Sequence, residues 1–247
     1  MSDQQQVGVD RRPPHFFSSG AFAHVAPYAV FLAVIEIGRY FSGSGTLLFL
    51  VPRVLLPAAV LVACVLRGSY TEIAHYRWSA KGAVADVTIG VAVAGLWIAP
   101  YVWGWLSPPS ETTFTPTAFS PEVRPWALLL RAGGFALVTP FVEELFVRSF
   151  LVRFVDGRVY RKVADFRLLP IGRYRPAGFV ISLLWFTFSH ALWEWPVAFA
   201  TGAIYNLWLY HRRHLGAVII AHAVTNACVF AAVLAASQRG INLWYFL

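Results

Sequence analysis

The chain has 247 residues, of which 58% are hydrophobic and 13% charged, about half the roughly 25% charge of an average soluble domain. That balance excludes a water-soluble globule and a disordered chain, and points to an all-α, polytopic membrane helix bundle. The formal net charge of +8 would fit a nucleic-acid binder by sign, but the basic residues fall in alternate breaks between apolar runs, so they report topology and no nucleic-acid partner is expected.

Residues 1–21 are polar and lack a small-residue cleavage site, so they read as a flexible cytoplasmic tail and not as a signal peptide. Apolar runs near the roughly 20 residues that cross a bilayer then follow at 22–41, 46–66 and 84–106. Glu36 and Arg39, three apart in the first run, suit an i,i+3 pair, with substrate gating as the alternative. Cys64 and Cys228 lie inside apolar runs and give neither a disulfide framework nor a metal spacing. Residues 107–125, rich in Pro, Ser and Thr, read as an irregular external loop. Four more runs follow at 126–150, 177–193, 196–211 and 216–236, for about seven spans. Asn206 suits an interhelical hydrogen bond, and Ala198 and Gly202 give close helix packing. The basic and aromatic connection from Asp156 to Pro176 suits a membrane surface, or is an ordinary positive-inside loop. Residues 237–247 form a tail. Arg11, Arg12, Arg67, Arg77, Lys81, Arg153, Arg175, Arg212 and Arg213 fall on one side of a seven-span chain. The positive-inside rule makes that side cytoplasmic, with the N-terminus.

Ionisable residues inside a span cost several kcal/mol unless paired or facing a wet cavity, so they mark function by default. The C-terminal half carries three such groups. In Thr139-Pro-Phe-Val-Glu-Glu-Leu-Phe-Val-Arg148, Glu144 and Arg148 can pair at i,i+4, while Glu143 is turned about 100° away. Pro140 removes a backbone donor and can kink the helix. His190 follows Phe186 by four residues. His222 and Asn226 share a helix face at i,i+4. A carboxylate and an imidazole can deprotonate water, and a second histidine with an asparagine can stabilise an oxyanion. The structural alternatives are a satisfied core histidine at His190 and interhelical hydrogen bonds from His222 and Asn226. Zinc or a di-metal pair would also fit two Glu and two His, although no His-Glu-x-x-His helix is present and Arg148 competes for one acid. No cofactor is therefore expected.

Taken in order and spacing, Glu143-Glu144-x-x-x-Arg148, Phe186-x-x-x-His190 and His222-x-x-x-Asn226 resemble the three motifs of the CAAX protease and bacteriocin-processing family. This is the glutamic-type intramembrane protease group that includes the Ras-converting CAAX endopeptidase. Gly68-Ser-Tyr-Thr-Glu-Ile73, the block from Phe146 to Arg153, Asp165-Phe166 and the run from Tyr205 to Tyr210 are further similar to a bacterial subgroup found with exosortase sorting systems. The resemblance implies an intramembrane endopeptidase in the bacterial inner membrane, with residues 126–236 as its core and 22–106 as N-terminal spans. It implies Glu143 as the base activating water, His190 sharing that water, and His222 and Asn226 as the oxyanion hole. Glu144, Arg148 and Phe186 would support the site. The partners implied are a membrane protein or peptide substrate, the lipid bilayer and an exosortase-type sorting system. A non-catalytic scaffold, or sorting or immunity partner, of the same fold and an ion- or proton-coupled transporter remain as alternatives.

Overall fold

The computed structural model describes residues 20–40, 47–74, 79–110, 112, 114–163 and 165–247, except the side chains of Arg39 and Ala74. The expected tail as far as residue 19, the basic residues Arg11, Arg12 and Arg77, and the pairing of Glu36 with Arg39 lie outside that description. Among the described residues the structure is helical and has no strand.

Four helices are long and apolar enough to cross a membrane: Gly20–Gly38, Leu47–Leu66, Ala80–Val102 and Leu215–Ser237. The chain order is α1 (Gly20–Arg39), α2 (Leu47–Leu66), the short α3 (Thr71–Ala74) and α4 (Ala80–Val102). Next comes one helical run from Arg124 to Arg161 made of α5 (Arg124–Gly133), α6 (Thr139–Glu144) and α7 (Val152–Asp156), joined and followed by π-helical turns. Then α8 (Pro176–Phe188), α9 (Trp195–Arg212) and α10 (Leu215–Ser237) complete the bundle. The fourth run thus continues well past the expected 150, and the third covers 80–102 where 84–106 was expected.

The boundaries follow local chemistry. Ser79 accepts the Gly82 N–H and starts α4, while Pro125 and Pro176 stand in first turns, where an amide hydrogen would be unpaired anyway. His214 Nδ1 accepts the Gly216 N–H at 3.0 Å and starts α10. The preceding residue, Arg213, is left-handed at φ 53 and turns the chain from α9 into α10.

The bundle is organised around α10, whose most apolar window is 56% buried against 28% for each of the other three candidate spans. It packs chiefly along α4, where Gly90 makes the contact: a Cβ there would lie 2.5 Å from the Ala221 carbonyl oxygen. Thr225 Oγ1 donates to the Gly90 carbonyl at this crossing. On α2, by contrast, Leu48, Leu55, Leu56 and Val62 are exposed, an apolar face suited to lipid. Asn206 Nδ2 donates to Ser182 Oγ at 3.0 Å, the interhelical bond that its position called for. Cys64 is buried and Cys228 half-buried, and neither forms a disulfide.

Candidate active site

The helical run carrying Glu143 is not a plain α-helix. Over Gly134–Val138 it widens into a π turn in which the Thr139 N–H donates to Gly134 O, five residues back. The carbonyl of Phe135 would then look to residue 140 for its donor, and Pro140 has none. Asn226 Nδ2 on α10 supplies it at 2.7 Å. The sequence therefore ties α10 to this run through one proline and one asparagine, and Asn226 keeps a second amide hydrogen.

The next π turn, Leu145–Leu151, holds Arg148. Arg148 and Glu144 are both fully buried, with NH1 donating to Glu144 Oε1 at 3.2 Å. The guanidinium carbon lies 4.3 Å from the Phe186 ring centre and 5.6 Å from that of Tyr205, a cation–π arrangement that offsets part of the burial cost. Glu144 Oε1 also accepts the Nδ1–H of His222 at 2.7 Å. That bond orients the ring so that its Nε2 faces Glu143 Oε2 at 3.9 Å. Among the described residues Glu143 Oε2 has no hydrogen-bond partner.

His190 does not sit within a helix, as a span over 177–193 implied. α8 ends at Phe188, and His190 occupies the turn beyond it. The turn closes because Ser189 Oγ and His190 Nδ1 both donate to the Phe186 carbonyl, at 2.9 and 2.6 Å. With Nδ1 committed as donor to a carbonyl, Nε2 carries the lone pair. The ring lies tilted against Phe186 and Trp97, with ring centres 4.6 and 5.5 Å away. Phe186 thus touches both Arg148 and His190.

Glu143, His190, His222 and Asn226 all line one cavity of about 370 Å³. The expected residues from three separate motifs are therefore brought together, with Glu144, Arg148 and Phe186 behind them. Among the described residues no three His, Cys, Asp or Glu side chains form a metal-ligand set. Tyr205, passed over as a functional residue, is fully buried with its ring 5.2 Å from His222 and its hydroxyl donating to Thr225. A buried tyrosine in an apolar helix gives no spacing signal that would mark it.

A second polar cluster joins His24 to residues of the motif blocks. Glu72 Oε1 accepts from His24 Nε2 at 2.6 Å, from Arg153 NH2 at 3.0 Å and from Ser149 Oγ. The Arg153 guanidinium lies 4.8 Å from the Phe166 ring centre. Burial by itself would raise the Glu72 carboxyl, but the bonds from His24 and Ser149 outweigh it and hold it at about 2. This cluster clamps α1 and α3 onto the π turn that carries Arg148.

The fold and cavity define a polytopic helical membrane protein with a buried carboxylate–imidazole site. Residues 125–228 match the family model described as Type II CAAX prenyl endopeptidase Rce1-like. The matched stretch, under half of the chain, holds all seven candidate residues and is similar to that endopeptidase family. Comparison with curated proteins and with solved structures gives no match.

Proposed function

We propose that the chain is a glutamic-type intramembrane endopeptidase that hydrolyses a peptide bond of a membrane-associated protein or peptide. The observation that carries this reading is the His222 ring, held by Glu144 through Nδ1 and presenting Nε2 to the unpartnered Glu143 Oε2 across the cavity.

Charge balance in the buried cluster is compatible with a reactive state. With Glu143 and Glu144 ionised, Arg148 charged and His222 holding hydrogen on both nitrogens, the four groups sum to zero, which a low-dielectric interior requires. In that state Glu143 is the base and His222 Nε2–H is a donor. A water between Glu143 and His190 Nε2 gives its proton to Glu143 as its oxygen attacks the carbonyl carbon. The oxyanion is met by His222 Nε2–H and the second Asn226 amide hydrogen. Glu143 then passes the proton to the leaving nitrogen as the C–N bond breaks.

This chemistry draws on the chain's own groups and needs no metal. By the positive-inside rule the basic residues Lys81, Arg175, Arg212 and Arg213 at or beyond helix ends favour a cytoplasmic N-terminal side, and the family resemblance favours a bacterial inner membrane. The motif blocks around Glu72, Ser149 and Asp165 support an exosortase-associated subgroup, and no nucleic-acid partner is expected.

The test is comparison of membrane and secreted protein C-termini in wild-type and Glu143→Gln cells, with His190→Ala alongside. The expected result is a shared set of cleavage products lost in both variants, from proteins that still insert, and unaffected by chelators in vitro. Retained hydrolysis by either purified variant would overturn the reading.

A further inference from the structure

The first helix lies outside the stretch that matches the family model, yet Tyr28 on α1 lines the same cavity as Glu143 and His190. Tyr28 is 3% exposed. Its ring lies nearly parallel to that of Phe146, with centres 4.4 Å and planes 12° apart, and Phe146 stands about one turn beyond Glu143. From α8, Trp185 Nε1 donates to the Tyr28 hydroxyl at 3.2 Å, and Trp185 stands about one turn before Ser189 and His190. Tyr28 is therefore fastened to both segments that carry the proposed water-activating pair. Glu143 and Ser189 are both among the groups that act on its hydroxyl.

We propose that Tyr28 is a further residue of the active site, whose O–H donates to the water held by Glu143 and His190 and so aims that water at the peptide carbonyl. This role rests on the protease reading. A water has two hydrogens and two lone pairs. In the hydrolysis described above the hydrogens go to Glu143 and His190 Nε2, and one lone pair attacks the carbonyl carbon. The second lone pair needs a donor, and His222 and Asn226 are committed to the oxyanion. Tyr28 fills that fourth position. It keeps its own proton throughout, so the bonds made and broken remain those of hydrolysis. Without the donor the water can turn about the line joining Glu143 and His190, and its attacking lone pair leaves the direction of the carbonyl.

The hydrogen-bond count around the hydroxyl supports this direction. A phenolic oxygen both accepts and donates, and the bond from Trp185 uses its accepting side. Trp185 is 43% exposed, so its N–H reaches Tyr28 from the lipid-facing side of α8 and the Tyr28 hydrogen is left to point inward. Ser189 Oγ, which gives its own hydrogen to the Phe186 carbonyl, is the competing acceptor. The Tyr28 ring belongs to the apolar cluster of Val142, Phe146 and Phe186. A tyrosine therefore brings a donor into the site without adding a charge to the buried cluster.

The test compares full-length wild type with Tyr28→Phe, which keeps the ring and its packing. Crystals grown from lipid mesophase and diffracting well enough to show ordered water should place a water within about 3 Å of the Tyr28 hydroxyl, Glu143 and His190 in wild type. That water should be lost or displaced in the variant, with the ring unmoved. A wild-type hydroxyl bonded to Ser189 and to no water overturns the proposal, and this observation needs no variant to fold. With a synthetic peptide spanning one of the cleavage sites lost in Glu143→Gln cells, Tyr28→Phe should lower kcat about tenfold and leave KM unchanged. Trp185→Phe, which releases the hydroxyl from its anchor, should give a smaller loss. An unchanged kcat in Tyr28→Phe removes the donor and leaves the protease reading standing. A loss that Ser189→Ala reproduces in full overturns the proposal in favour of holding the His190 turn. A water at Tyr28 in a protein that cleaves no peptide leaves the donor standing and removes the protease reading.

Discussion

Replacing Arg148 by methionine tests how the buried cluster is held together. Arg148 and Glu144 are both fully buried, and NH1 donates to Glu144 Oε1 at 3.2 Å. Removing the cation leaves the Glu144 carboxylate with His222 as its remaining partner. Breaking one side of a buried pair costs about 3–5 kcal/mol. Here Arg148 Nε and NH2 are themselves without partners, so deleting them relieves part of that cost. The lower end, about 3 kcal/mol, is the expected loss, roughly a hundredfold in the folded-to-unfolded ratio. In the double variant Glu144→Gln with Arg148→Met, no charge is stranded and the new amide oxygen can still accept from His222 Nδ1. The double variant should therefore lie within about 1 kcal/mol of wild type, about 2 kcal/mol more stable than the Arg148→Met single. Equilibrium unfolding in mixed micelles of rising SDS fraction reads both values. The double variant should nevertheless lose about 10²–10³ in kcat, because the anion that supports a charged His222 is gone. A single variant within about 0.5 kcal/mol of wild type, or a double variant no more stable than the single, would refute the account.

Asn226→Leu should cost about 1–3 kcal/mol by stranding the Phe135 carbonyl that Pro140 cannot serve; restoring a backbone donor with Pro140→Ala in the same chain should recover part of it, as read by the same unfolding measurement. Glu72 has its carboxyl lowered from 4.5 to about 2 in the folded protein, so its stabilising contribution is complete above about pH 4.5 and fades as pH falls toward 2. Acid unfolding of Glu72→Gln should therefore show a weaker pH dependence between those values than wild type, and parallel curves would count against the Glu72 clamp.

Among the described residues the helical bundle and its four membrane-length helices were legible because apolar length and polar breaks are one-dimensional signals. So was the convergence of Glu143, His190, His222 and Asn226, since ionisable groups in apolar runs must face something other than lipid. The π turns were not legible: a hydrogen-bond register shifted to five residues leaves hydrophobic spacing almost unchanged. Pro140 showed that a donor was missing, but not that a residue 86 positions later would supply it. His190 read as an in-helix residue because its neighbours are apolar, whereas its own ring and Ser189 take the last carbonyl and end the helix. Tyr28 drew no notice because a tyrosine in an apolar run looks like a packing residue until the cavity it lines is known.

The close crossing at Gly90 gives α4 a part in holding the proposed site although it carries none of the proposed catalytic groups. Val224 atoms as well as the Ala221 carbonyl stand within 2.8 Å of where a Cβ at position 90 would be, so even one added methyl must push α10 aside. His222 and Asn226 ride on that helix, beside the contacting residues Ala221 and Val224. The alignment of the reacting groups therefore depends on an absent side chain on another helix. A survey of inactivating substitutions should mark Gly90 alongside Glu143, and the two would differ in kind: a substitution at Glu143 removes the proposed proton acceptor, while one at Gly90 moves His222 and Asn226 away from it.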